Sequence, residues 1–94
     1  MMMTLRVLTP QGLFLSDEAL SLRAPGGLGY LGVLRNHAPL VSTVVPGRLT
    51  WRTGDGVTHQ LRLGGGLLEI ERNRITVLTD SVTESPLLRE SDQP

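Results

Sequence analysis

Three glycines, Gly27, Gly29 and Gly32, have the Gly-x-Gly-x-x-Gly spacing of a dinucleotide-binding loop. In such a loop the last glycine opens a helix, and the amide groups at the start of that helix hold a pyrophosphate. Here only residues 33–38 follow before Pro39, which would end a helix because its ring removes a backbone donor. We therefore interpret the glycines as a loop that leads into a strand, and we expect no small-molecule substrate there.

The other side chains that could catalyse a reaction do not form a known constellation. His37 and His59 lie on different segments and the chain has no cysteine, so the spacing of a common metal site is absent. Glu69 and Glu71 alternate with apolar residues, as carboxylates on a solvated strand face do. The absence of lysine removes Schiff-base chemistry, and no Gly-x-Ser-x-Gly elbow occurs. The residues predict a non-catalytic binding or structural module without a metal or other cofactor.

The composition describes a small chain of balanced charge. Its 94 residues are enough for one domain, and nine arginines offset nine acidic residues. A balanced chain as a whole is not attracted to a polyanion, so we expect no nucleic-acid partner. The first residues do not have the pattern of a signal peptide, and no apolar run reaches the roughly 18 residues of a membrane helix. We expect no direct membrane span.

Apolar residues recur at every second position along most of the chain, which is the period of a half-buried β-strand. Turn-forming residues interrupt these runs. Pro46-Gly47 predicts a type II turn, residues 54–56 a three-residue hairpin loop, and Asn73 a tight hairpin, because glycine and asparagine tolerate positive φ. We predict an all-β sandwich or barrel of short, mostly antiparallel strands. They are expected at residues 5–8, 13–15, 19–24, 30–34, 40–45, 48–53, 57–63, 67–72 and 74–79.

The alternation also predicts which face of each strand is buried. Leu49 and Trp51 should point into the core while Arg48, Thr50 and Arg52 point to solvent. Other pairs follow the same pattern. The predicted core therefore also contains Leu20, Leu22, Leu61, Leu63, Leu68, Ile70, Ile75 and Val77.

A second apolar set has the opposite parity. It comprises Leu8, Leu67 and Leu78, together with the adjacent pairs Leu40-Val41 and Val44-Val45. A sheet that is wet on one side would be more polar at these positions. Two interpretations are open: the residues lie under covering loops, or they form an exposed patch that binds a partner.

Four ordered blocks of the sequence resemble the epsilon subunit of F-type ATP synthases. Residues 25–40 resemble its glycine-rich loop followed by Leu-Gly-aliphatic and His-Ala-Pro-Leu. Residues 45–49 resemble its Pro-Gly turn into a strand, residues 63–70 its Gly-Gly-aliphatic-aliphatic-Glu segment, and residues 73–80 its final strand. The resemblance extends over residues 5–82 and depends on the order of the blocks rather than on any one of them.

The resemblance implies a flattened β-sandwich of about ten strands. It implies that residues 1–82 form a head domain without an active site, which joins the gamma subunit to the c-ring of the rotor. This central-stalk subunit would couple ion flow to the synthesis or hydrolysis of ATP. The implied location is the cytoplasmic side of the bacterial inner membrane, as a peripheral subunit of the membrane-bound complex.

By position, the resemblance also assigns two sets of contact residues. Leu28 and Tyr30 lie where the family contacts the loops of the c-ring. Thr9, His37 and Ser42 lie on the face turned to gamma. Many members of the family have an acidic residue at the position of Tyr30, so the contact in this chain would be aromatic and amphipathic instead.

Residues 83–94 are expected to form a short polar tail, frayed or disordered, with at most one helical turn. The family normally continues into a C-terminal helical hairpin that inhibits ATP hydrolysis. We expect this regulatory function to be absent, and the sequence leaves open whether the chain is naturally short or was cut.

Two further hypotheses have different functions. The chain could be an unrelated β-sandwich module that binds protein or carbohydrate, but such modules usually present exposed aromatic residues and this chain has only Phe14, Tyr30 and Trp51. It could also be a small metalloenzyme that uses His37 and His59, if the fold brings them together.

Overall fold

The computed structural model describes residues 2–83, and these residues form an all-β fold, as predicted. No helix among them is long and apolar enough to cross a bilayer. The strands are β1 (Met3–Thr9), β2 (Gly12–Ala19), β3 (Ser21–Gly26), β4 (Gly29–Leu34), β5 (Leu40–Val44), β6 (Gly47–Arg52), β7 (Thr58–Leu63), β8 (Gly66–Glu71), β9 (Arg74–Thr79) and β10 (Val82–Thr83).

The ten strands form one curled, mixed sheet. Their order is β10-β7-β6-β3-β5-β8-β9-β1-β2, and β4 pairs with β3 beside this path. Among the strands of residues 2–83, only β1 and β9 pair in parallel. Strand β3 pairs with β6 over residues 21–23 but with β5 only through Gly26 and Val44. This narrow junction divides the sheet into a first half (β4, β3, β6, β7, β10) and a second half (β5, β8, β9, β1, β2).

The inner face of the curled sheet contains one apolar core. Every residue predicted for the core is buried except Leu20, which is 39% exposed. The chain bends at Leu20, so Ala19 at the end of β2 and Leu22 in β3 both point inward. The prediction that Leu20 is buried was therefore wrong, because it treated residues 19–24 as one strand.

Strand β2 extends beyond the predicted strand at residues 13–15. The prediction ended too early because a polar residue on the inner face interrupts the apolar alternation. Asp17 lies between Leu15 and Ala19 at inward positions. Its carboxylate accepts a 2.9 Å hydrogen bond from Nε1 of Trp51 in β6. This bond gives the indole N–H of the buried Trp51 an acceptor and connects the two halves of the sheet across the core. The predicted strands also omitted β10, a two-residue strand on β7.

Two of the three turn predictions are confirmed. Arg72 and Asn73 have φ values of 49° and 59° and form a two-residue hairpin, and Gly56 has a φ of 85°. The type II turn at Pro46-Gly47 was wrong, because Gly47 is not among the residues with positive φ and opens β6. A Cβ atom at Gly47 would lie 2.8 Å from Cβ of Pro25, so glycine permits the two strands to approach there.

Candidate partner-binding surface

The hairpin of β3 and β4 places two of the predicted contact residues at its tip. The two strands pair from Ser21 and Leu34 to Gly26 and Gly29. At the tip, residues 27–30, Leu28 is fully exposed and the ring of Tyr30 is 55% exposed. The fold therefore brings the two residues assigned to the c-ring together on a protruding loop.

An arginine holds the ring of Tyr30 in place. The guanidinium carbon of Arg23 lies 4.8 Å from the centre of the Tyr30 ring. Arg23 is on β3, diagonally across from Tyr30 on β4, where long side chains of paired strands meet. This cation–π contact orients the exposed ring and adds a positive charge beside it.

A groove of about 430 Å³ lies between the tip and β5. The tip contacts β5 through a 3.3 Å hydrogen bond from the Gly27 amide to the Thr43 carbonyl. A Cβ atom at Gly27 would collide with the hydroxyl of Thr43, so the close approach needs glycine. The groove is lined by residues 26–31 and 40–43, which include Leu28, Tyr30 and Ser42.

A row of exposed leucines continues from the groove across the outer face of the second half. Thr43, which lines the groove, is paired with Leu67, and Leu67 is paired with Leu78. Leu78 is paired with Leu8, and Leu8 with Leu13. We call the four leucines the leucine row. Leu13, Leu78 and Leu67 are 54%, 49% and 47% exposed, and Leu8 is half-buried. Side chains on directly opposite residues of paired strands are neighbours on one face, so the row is contiguous.

The leucine row decides between the two interpretations of the second apolar set. Leu67 and Leu78 are exposed, as are Val41 and Val45, so within residues 2–83 no loop covers them. Of the three remaining members, Leu8 is half-buried within the leucine row, and Leu40 and Val44 belong to the core. Most of the set is thus exposed rather than covered by a loop of the described residues.

The three residues assigned to gamma do not form one compact site. Ser42 lies in the groove, and Thr9 ends β1 next to Leu8 of the leucine row. His37 lies in the turn after β4, and the adjacent Asn36 is hydrogen-bonded to Asn73 at the start of β9. Thr9 lies beside the opposite end of β9. The two ends of this strand are roughly 17 Å apart, so Thr9 and His37 are far from each other.

The side chains of the two histidines have local structural roles. Nδ1 of His37 is 2.7 Å from the Ala38 carbonyl oxygen, so the ring bonds to the local backbone. His59 stacks on Trp51, with ring centres 5.4 Å apart. Within residues 2–83 no three His, Asp or Glu side chains are grouped so that they could hold a metal ion.

The sequence did not indicate that Leu13 belongs to this surface. Between Val7 and Leu8 the register shifts, so that Val7 pairs with Leu15 while Leu8 pairs with Leu13. This β-bulge places Leu13 outside, beside Leu8. A β-bulge of one residue cannot be recognised from an apolar stretch of sequence.

Comparison with known proteins identifies the family. The family described as ATP synthase, Delta/Epsilon chain, beta-sandwich domain matches residues 2–85. An ATP synthase epsilon chain of Desulfitobacterium hafniense is 40% identical over 78 residues, which cover 83% of this chain and 58% of that one. An ATP synthase epsilon chain of Anaeromyxobacter sp. (strain K) is 42% identical over 81 residues, or 86% and 61% of the two chains. The chain thus spans about three fifths of the length of these relatives.

Two solved structures have the same fold. A chain of the Euglena gracilis mitochondrial ATP synthase (OSCP/F1/c-ring) superposes with a TM-score of 0.82 at 19% identity, covering 87% of this chain and 52% of that one. A chain of the Tetrahymena thermophila mitochondrial ATP synthase (central stalk/c-ring) gives 0.72 at 16% identity, covering 87% and 66%. Together with the sequence matches, the fold confirms the resemblance seen in the four blocks. The chain belongs to the family of ATP synthase delta/epsilon chains and contains its β-sandwich domain.

Proposed function

We propose that this chain is a non-catalytic central-stalk subunit of an F-type ATP synthase, which joins the gamma subunit to the c-ring. The observation that carries the proposal is a continuous exposed surface, from the tip through the groove to the leucine row, on a fold of the epsilon family. Exposed apolar patches of this kind are typical of protein interfaces. The subunit needs no cofactor or small-molecule substrate for this function.

The tip is the part that contacts the c-ring. Leu28 and Tyr30 protrude from the hairpin and offer an apolar and an amphipathic side chain to the polar loops of the ring. Because Arg23 fixes the ring of Tyr30, the tyrosine loses little rotational freedom on binding.

The leucine row and the groove are the parts that contact gamma. Thr9 and Ser42 lie at the end of the row and in the groove, and this placement supports their assignment to the gamma interface. His37 is farther away, and we assign it to the margin of the contact. Burial of the exposed leucines would supply the main driving force for docking.

The mechanism requires stiffness rather than chemistry. One hydrogen-bonded sheet carries both the tip and the leucine row, and a single core supports it. The head would therefore not bend between its two contact surfaces when torque from ion flow passes from the ring to gamma. The complex would place the subunit at the cytoplasmic side of the bacterial inner membrane.

The test is co-migration of the full chain with gamma and the c-ring from the same source in size-exclusion chromatography. The expected result is a stoichiometric complex with both partners. The variant Tyr30→Asp should alter binding to the isolated c-ring and leave the fold intact, because its side chain is exposed at the tip. Failure of the wild-type chain to bind either partner would contradict the proposal.

The carbohydrate-binding alternative has less support. Trp51 is buried and bonded to Asp17, so it cannot stack on a sugar. Tyr30 is already in contact with Arg23.

A further inference from the structure

Charge is unevenly divided between the two halves of the sheet. The strands of the first half contain four arginines and no Asp or Glu. The strands of the second half contain two arginines and four carboxylates. The zero net charge of the sequence thus conceals a positive outer face on the first half. We call it the arginine face, and it consists of Arg23, Arg48, Arg52 and Arg62.

The arginine face is not neutralised within residues 2–83. All four side chains are exposed and none forms an ion pair with a described residue. Arg48 lies directly opposite Arg62 on the paired strands β6 and β7. Like charges at directly opposite positions destabilise a sheet, so the fold tolerates an unfavourable arrangement there. Such an arrangement is relieved when acidic groups bind.

A shallow cavity of about 240 Å³ on the arginine face offers several hydrogen-bond donors. Arg23 and Arg52 line it, with the hydroxyl-bearing residues Ser21, Thr50 and Thr58 between them. Guanidinium groups beside hydroxyls bind carboxylates or phosphates.

An unsatisfied donor lies on the same face. Gln60 is paired with Thr50, which in turn is paired with Arg23. Nε2 of Gln60 is buried and has no acceptor among the described residues. A buried donor without a partner is costly.

We infer that the arginine face binds a carboxylate-rich protein surface that stands beside the head in the rotor assembly; this inference rests on the proposed function. Strand β3 runs away from the tip for six residues, roughly 20 Å. With the tip on the c-ring, the arginine face would stand upright and face a neighbouring protein rather than the lipid surface. Its four charges spread over three strands, which matches an extended acidic surface better than one small anion.

The test measures binding of the full chain to the gamma–c-ring assembly at low and high salt. The double variant Arg48→Glu/Arg62→Glu retains a like-charge pair, so its fold should be as stable as that of the wild type. We expect it to bind on the order of tenfold more weakly at low salt, and to lose the salt dependence of the wild type. Arg48→Lys/Arg62→Lys should bind within a few-fold of the wild type.

Arg6→Glu/Arg74→Glu is the charge-matched control, because Arg6 and Arg74 are exposed arginines in strands of the second half. If it weakens binding as much as the Arg48→Glu/Arg62→Glu variant, the effect is one of net charge and the inference is wrong. Unchanged affinity of a folded Arg48→Glu/Arg62→Glu variant also overturns it. Failure of the wild-type chain to bind the assembly would instead remove the proposed function.

A second experiment tests whether the arginine face binds anionic lipid instead of a carboxylate-rich protein. The same variants are mixed with vesicles of equal parts phosphatidylglycerol and phosphatidylcholine and floated on a density gradient. We expect no arginine-dependent flotation. If the wild-type chain floats and the Arg48→Glu/Arg62→Glu variant does not, while binding to the assembly is unchanged, the arginine face binds lipid and the inference is overturned.

Discussion

At the scale of single residues, the bond between Asp17 and Trp51 is the main polar connection across the core. It is 2.9 Å long and partly buried, and it joins β2 to β6. Sequence patterns predicted Trp51 in the core but gave no role to Asp17, because an aspartate breaks the apolar alternation. A buried polar pair is favourable only when both members are present, and pattern reasoning considers one residue at a time.

We predict that Asp17→Ala lowers the free energy of unfolding by about 1–3 kcal/mol, because the indole N–H of Trp51 loses its acceptor. Urea denaturation followed by Trp51 fluorescence measures this change. Glu18→Ala is the control, since Glu18 is exposed and only bonded to Thr4 on the surface. Equal and small effects of both variants would show that the bond does not stabilise the fold.

The turn between β6 and β7 provides a prediction about pH. The hydroxyl of Thr53 and the amide of Val57 donate to Asp55 and lower the pKa of its carboxyl group. Because the folded pKa lies below the unfolded one, ionised Asp55 stabilises the turn at neutral pH, and this contribution is lost as the pH falls through the lowered value.

Asp55→Ala should therefore be less stable than the wild type at pH 7, and the difference should shrink below about pH 4. Urea midpoints of the two proteins at pH 7 and at about pH 3 check this. A difference that is the same at both values would show that ionisation of Asp55 does not stabilise the turn.

Among the strands, those with regular apolar alternation were predicted correctly, and those with an irregular residue or register were not. Strand β9 was predicted with the bounds that the structure has, because its alternation is regular and Asn73 marks its start. Strand β2 was mispredicted because of the inward Asp17, and the register shift at Leu8 could not be anticipated. Apart from Leu13, the apolar residues of the candidate surface were predicted from the sequence, but their continuity depends on pairs between distant strands.

The leucine row gives a prediction at this scale. Leu67→Asp/Leu78→Asp should weaken binding to gamma by at least about tenfold, because two apolar contacts at the centre of the row are replaced by charge. The two side chains are about half exposed, so the variant should fold. Leu20→Asp, at an exposed leucine in the bend before β3, is the control and should bind normally. Isothermal titration calorimetry with purified gamma measures the affinities, and unchanged binding of a folded double variant would exclude the row from the interface.

For the whole molecule, we propose that the head acts as one rigid connector with several distinct surfaces. The tip and the leucine row lie on the sheet that also carries the arginine face. The composition, which has equal numbers of basic and acidic residues, does not indicate a charged surface. The separation of charge results from the order of the strands, and only the fold reveals it.

Electron cryo-microscopy of the full chain reconstituted with gamma and the c-ring would show directly whether the head joins these two partners. We predict density for the head at the foot of gamma, with Leu28 and Tyr30 on the ring loops and the leucine row against gamma. A head bound elsewhere, or one whose tip and leucine row both face solvent, would contradict this prediction.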